Sequence, residues 1–156
     1  MKWKVAFAVL FVTSVCSYGA KLKVGDTVPN YCWKDIETKT VCLDDFKNTV
    51  RVMLYNSTYC GWDNLLFQEL VPNVSEFAGK PVTFISLTVG GKLEEWKEKH
   101  NIPFTVARGT RQEMYDFTDQ IATPLSVIVD SENKLTFAKL GSNKTAIFTE
   151  IHKLVP

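Results

Sequence analysis

The chain has 156 residues, 46% of them hydrophobic and 22% charged, with a formal net charge of +1 at pH 7. That length suffices for one domain with a proper core. Nearly balanced charge, without a long lysine or arginine block, leaves no electrostatic case for nucleic acid or an anionic membrane surface, so the expected partners are proteins or small molecules.

Residues 1–20 read as an export signal: Lys2 and Lys4, an apolar stretch over 5–15, then small residues around Ser17 to Ala20, with a cut after Gly19 or Ala20. The apolar run is shorter than the roughly 20 residues needed to span a bilayer, which argues against an anchor. Val15 is a poor neighbour for a lipidated Cys16. The expected working chain is therefore residues 21–156, periplasmic or secreted, with no stable membrane insertion after cleavage. Export bears on the remaining cysteines, because oxidising compartments let disulfides persist.

Two short strand-like pieces come first, at 30–34 and 39–43, with Cys32 and Cys42 flanking polar turn residues. That arrangement suits a cross-strand disulfide, which would constrain the unfolded chain by roughly 2–3 kcal/mol. A structural staple is the favoured reading, and a redox role for the pair stays open. Cys60 is then the cysteine left over. The apolar strand 50–55 feeds a helix over 60–77, whose apolar face is Leu65, Leu66, Leu70, Val74 and Phe77 and which Pro72 should bend or divide. A second strand is expected at 82–89, and after Gly90-Gly91 a helix over 92–100 with Leu93 and Trp96 inward. A short extended piece at 104–107, a helical turn at 111–117, a strand pair at 125–129 and 135–139, and a closing helix at 144–154 complete the order. Strand–helix alternation of this kind argues for one α/β layer fold.

The strand-to-helix junction Tyr59-Cys60-Gly61-Trp62-Asp63 carries the candidate chemistry. Free backbone N–H groups and the positive helix end favour thiolate at Cys60. Dithiol redox sites place a second thiol three residues on; here that place holds Asp63, so no disulfide can close inside the motif. The Asp63 carboxylate opposes the helix terminus, and it either relays a proton to or from Cys60 or serves as a favourable acid in the first turn. Tyr59 and Trp62 either offer aromatic surface for an apolar peptide or pack against neighbouring loops. His100 and His152, the two histidines, are expected on lysine-rich helix surfaces, too few and too far from Cys60 to hold a metal. Glycosylation triplets begin at Asn56, Asn73 and Asn143, and a sugar on Asn56 would crowd Cys60.

Several segments together carry a family likeness: Val24-Gly25-Asp26-Thr27-Val28-Pro29, Val41-Cys42-Leu43-Asp44-Asp45-Phe46, Tyr59-Cys60-Gly61, Ala122-Thr123-Pro124 with the strand after it, and Gly141 before the last helix. In their order and spacing the chain resembles exported thioredoxin-like proteins of the TlpA/ResA type, within the wider thioredoxin and peroxiredoxin superfamily. The resemblance implies a thioredoxin fold, a central mixed sheet flanked by helices, with an N-terminal β-hairpin extension. It implies that Cys60 is the attacking cysteine and that a cis-proline at Pro124 exposes the Thr123 backbone to an extended substrate. Leu54 departs from the pattern where relatives often bury a polar side chain, and Trp62 departs where they carry proline. The function implied is thiol–disulfide exchange, reduction or isomerisation, on cell-envelope proteins through a mixed disulfide at Cys60. An external thiol would resolve that intermediate, and no cofactor or metal is required. Two other readings stand beside it. A single-cysteine thiol peroxidase would have Met53 and Ser57 where peroxiredoxins carry proline and threonine, and a non-catalytic binding module would use the same surface without chemistry. A copper chaperone is disfavoured, since Asn64 stands where its second cysteine would be.

Overall fold

The structure, a computed structural model, describes residues 21–155. The expected export signal, with Cys16, lies outside them. Two strands, β1 (Cys32–Lys34) and β2 (Thr40–Cys42), form an antiparallel hairpin. The main sheet follows from β3 (Val50–Ser57), β4 (Val82–Gly90), β5 (Thr105–Arg108), β6 (Leu125–Val129) and β7 (Leu135–Leu140). Their order is β5-β4-β3-β6-β7, with β3 parallel to β4, β4 parallel to β5, and β6 antiparallel to both β3 and β7. The helices are α1 (Gly61–Leu70), α2 (Leu93–His100), α3 (Arg111–Thr118) and α4 (Lys144–Leu154). Pro72 divides the long expected helix: α1 ends at Leu70 and a 3₁₀ segment runs Val71–Phe77, because proline at its second position lacks the N–H that an α-helix would use.

Central strand β3 shows how the sequence builds two layers. Successive strand side chains point to opposite faces, and every residue from Val50 to Asn56 is buried, so both faces must be covered. Val52 and Leu54 join Leu66, Phe67 and Leu70 of α1, Trp96 of α2, and Ile147 and Ile151 of α4. Met53 and Tyr55 join Trp33 of the hairpin, and Met114 and Phe117 of α3, on the other face. The hairpin is thus a lid on the α3 side of the sheet. A sheet covered on both sides buries its backbone away from water and gives the rigid frame on which the β3–α1 turn sits.

Two expectations are corrected. Leu65 is exposed, because Asp63, Leu66, Phe67 and Leu70 form the inward stripe of α1 at helical spacing and Leu65 falls beside it. His100 is buried: it continues the Leu93, Trp96 stripe of α2 and packs at 4.2 Å ring separation from Trp96 and 5.6 Å from Phe67. Its lysine neighbours face water while the histidine does not. Burial, with help from Lys99, lowers the His100 pKa, so the ring is neutral at pH 7.

A buried carboxylate ties the hairpin to the sheet. Glu113 Oε2 accepts hydrogen bonds from Trp33 Nε1 at 2.9 Å and from the Tyr55 hydroxyl at 3.0 Å. Thr110 caps α3 by accepting from the Glu113 N–H. Glu113→Ala would strand two buried donors at once, and each orphaned group costs about 1–3 kcal/mol. The expected loss is about 3 kcal/mol in chemical denaturation, and a loss below about 0.5 kcal/mol would show that the cluster is not a tie.

Cys32 and Cys42 are direct cross-strand partners and are joined in a disulfide, with Cα atoms 4.0 Å apart. Trp33 points into the core, so Cys32 points to solvent. Converting both cysteines to serine is expected to lower stability by about 2–3 kcal/mol, the loop-closure value for so short a loop. Alkylation of Cys60 should be unchanged, and a changed rate would place the hairpin sulfurs in the chemistry of Cys60.

Candidate functional site

The site is assembled where β3 ends. Asn56, fully buried, donates through Nδ2 to Leu54 O (2.9 Å) and Ser86 Oγ (2.7 Å) and accepts from Thr88 Oγ1 (2.9 Å). This network locks the last turn of β3 to β4, and it removes Asn56 as a glycosylation point in the folded chain. Its role in positioning the site escaped the sequence reading; the signal was a polar residue at the end of an otherwise apolar strand. The chain then turns, Cys60 N–H donating to Ser57 O at 3.1 Å, and Cys60 becomes the N-cap of α1 with extended backbone. The Cys60 carbonyl receives the Asn64 N–H (3.3 Å) and Asn64 Nδ2 (2.9 Å), while Asn64 Oδ1 lies 3.1 Å from His100 Nε2. With Asn64 donating to Cys60, its oxygen takes the proton on His100 Nε2, so a buried ring steadies the first turn of α1.

Cys60 is partly exposed and is the free cysteine among the described residues. Its Sγ lies 3.7 Å from Thr123 O, just before the cis Thr123–Pro124 bond. Asp63 is buried directly behind. Its Oδ2 accepts from the Ser57 N–H (2.8 Å) and the Thr123 hydroxyl (2.6 Å), whereas its buried Oδ1 has no partner. Cys60, Asp63, Thr123 and Pro124 are therefore brought together. Thr123 bridges Cys60 and Asp63, its carbonyl taking the thiol and its hydroxyl giving to the carboxylate. The hairpin cysteines are bonded to each other on a solvent face and supply no thiol to this group.

Burial raises the Asp63 carboxyl above its ordinary range, opposed by hydrogen bonds from Thr123 and Ser57 and by the Cys60 thiol. A raised value means the folded chain holds this proton more tightly than the unfolded chain. Stability is then lost as pH climbs from the ordinary carboxylate range through the raised value, and stays lower above it. Asp63→Asn keeps an acceptor for Ser57 and Thr123 and places an uncharged amide where Oδ1 is unpartnered. By removing the buried charge it should raise stability at neutral pH, the gain shrinking toward zero below the ordinary carboxylate value of about 3.9. Urea unfolding across that window checks this, and a gain independent of pH would contradict it.

The surface around Cys60 is apolar. Tyr59 is 84% exposed, Trp62 73%, Leu65 52% and Ile121 57%, so these side chains stand out from the fold and do not pack against neighbouring loops. Two grooves meet at Thr123: one of about 470 Å³ along Trp62, Leu65 and Pro124, the other of about 510 Å³ along Tyr59, Arg111 and Ile121. Among the described residues no three of His, Cys, Asp and Glu gather to hold a metal ion, and no helix is long and apolar enough to cross a membrane.

The mixed five-stranded sheet, the helices on both faces and the cysteine at the strand–helix turn beside a cis-proline define a thioredoxin-like protein. More narrowly, the model of the AhpC/TSA family matches residues 24–138, and the chain belongs to that family. No curated protein matches. Among solved structures, the chain is similar to the thioredoxin domain of a thiol-disulfide oxidoreductase from Bacteroides vulgatus, at 18% identity over 84% of this chain and 99% of that one, TM-score 0.68. It is similar to a thiol:disulfide interchange protein from Bacteroides sp., at 19% identity over 85% and 91%, TM-score 0.71. A thiol:disulfide interchange protein of the thioredoxin family from Chlorobium tepidum matches at 14% identity over 83% and 96%, TM-score 0.72. At such identities the likeness is one of fold.

Proposed function

We propose that this is an exported thioredoxin-like protein of the TlpA/ResA type that exchanges thiols and disulfides on cell-envelope proteins through Cys60 alone. The observation that carries the reading is the free, partly exposed Cys60 Sγ at the start of α1, 3.7 Å from Thr123 O, with Asp63 buried where a second thiol would stand. The Cys60 thiolate attacks one sulfur of a substrate disulfide. The Cys60–substrate bond forms, the substrate disulfide breaks, and its other sulfur leaves as a thiolate that takes up a proton. An external thiol, or the substrate's second cysteine, then attacks the mixed disulfide and returns Cys60 as thiolate. In this reading the Thr123 backbone pairs with the substrate, and Tyr59, Trp62 and Pro124 form the surface against which it lies. Asp63 is a proton acceptor and donor held at Thr123 behind the sulfur. Residues 1–20 direct export and are removed, residues 21–156 form the working domain, and the Cys32–Cys42 bond staples the hairpin.

The peroxidase reading receives less support from the geometry. The Ser57 hydroxyl, which would replace the peroxiredoxin threonine, accepts from the Tyr59 N–H at 3.4 Å and so engages its own loop. The test of the exchange reading is recovery of activity by a disulfide-scrambled reporter protein in a glutathione buffer. The protein should accelerate it and Cys60→Ser should not; equal rates with the two would overturn exchange through Cys60.

A further inference from the structure

The two grooves that meet at Thr123 differ in charge. We infer that they select an extended substrate segment with a large apolar side chain on one side of its cysteine and an acidic side chain on the other. This inference rests on the exchange reading of Cys60. The first groove presents the exposed Trp62 and Leu65, with Glu69 in its lining. Exposed apolar side chains of that size gain by covering one another, and Glu69 repels an acid placed there. The second groove is lined by Tyr59, Ile121 and the exposed Arg111.

Arg111 has no acidic side chain within 4.0 Å among the described residues. Nearby Lys92 is engaged by Glu95 at 2.9 Å, and Arg108 donates to the carbonyls of Thr88 and Gly91 at 3.2 and 2.8 Å. A carboxylate on the substrate is the charge-complementary partner that Arg111 lacks. A segment crossing Cys60 fills both grooves at once, since Thr123 lines each of them. The order of apolar and acidic residues about the cysteine then decides how well it seats.

The test uses short capped peptides whose single cysteine is joined by a disulfide to thionitrobenzoate. Cys60 thiolate attacks the peptide sulfur, the peptide–thionitrobenzoate bond breaks, and coloured thionitrobenzoate leaves with the electron pair while mass spectrometry confirms the peptide on Cys60. Peptides carry leucine or serine on one side and aspartate or lysine on the other, in both orders. Leucine over serine should raise the rate about tenfold. Aspartate over lysine should raise it about threefold at low salt, fading as salt screens Arg111. The charge swap Arg111→Glu should reverse the aspartate preference and leave the leucine preference intact. Equal rates for all peptides, or a charge preference unmoved in Arg111→Glu, would overturn the inference while leaving exchange at Cys60 standing. Release of no thionitrobenzoate by any peptide would overturn the exchange reading itself.

Discussion

On the exchange reading, Asp63→Cys is expected to give the protein its own route out of the mixed disulfide, a bond between Cys60 and the new thiol forming as the substrate thiol leaves and dithiothreitol then reducing that bond. Position 63 is three residues after Cys60, in the same first helical turn, and its side chain already points to the buried space behind the sulfur. A thiol there attacks the Cys60–substrate bond from within the molecule. Intramolecular attack at good geometry carries an effective concentration far above that of any free thiol, so release should accelerate by about 100-fold or more. The change removes an unpartnered buried carboxylate oxygen but also the acceptor of the Ser57 N–H and the Thr123 hydroxyl, so a stability loss of about 1–3 kcal/mol is expected beside the faster release. In an insulin-reduction assay with dithiothreitol, turnover should rise, and the Cys60 adduct trapped in the parent protein should disappear. Unchanged adduct lifetime would show that release is not limited by the lack of a second thiol.

Gly91→Ala should damage the fold and the site together. Gly91 follows β4 with φ +91°, a backbone conformation that L side chains rarely adopt, and a Cβ there would lie 1.8 Å from Thr58 Oγ1 and 2.7 Å from Thr58 Cβ. Rotating Thr58 moves the hydroxyl and leaves Cβ in place, so residue 58 itself must shift. Thr58 N–H donates to Gly90 O at 3.0 Å and lies two residues before Cys60. Backbone strain and overpacking each cost about 1–3 kcal/mol. A loss of about 3 kcal/mol in urea unfolding is expected, with slower adduct formation at Cys60 in the fraction still folded. Stability within about 0.5 kcal/mol of the parent would contradict this account of the β4 corner.

Local periodicity carried most of the fold. The continuous apolar run of β3, the stop at Pro72 and the closing helix Lys144–Leu154 are local features, and the chain order followed from them. Leu65 and His100 were misplaced although the same periodicity held their answer. Projecting Leu66, Phe67 and Leu70 back one turn lands on Asp63, and continuing Leu93 and Trp96 forward lands on His100; both are buried polar residues on otherwise apolar stripes. The lysines around His100 pointed to the wrong face for it. The Thr123–Asp63 and Glu113–Trp33 contacts span 60 and 80 residues and depend on β6 lying beside β3, and on the hairpin folding over α3. No local pattern encodes such pairings. The family likeness reached Pro124 because it carries tertiary information that periodicity lacks, and it gave no hint that Asp63 and Thr123 are hydrogen-bonded.

Exchange at a lone reachable sulfur is tested most directly by intact-mass analysis after brief exposure to a small disulfide such as oxidised glutathione, followed by peptide mapping. A single added glutathione on Cys60, with the Cys32–Cys42 bond intact, is the predicted result. An unmodified Cys60, or glutathione on Cys32 or Cys42 instead, would contradict it.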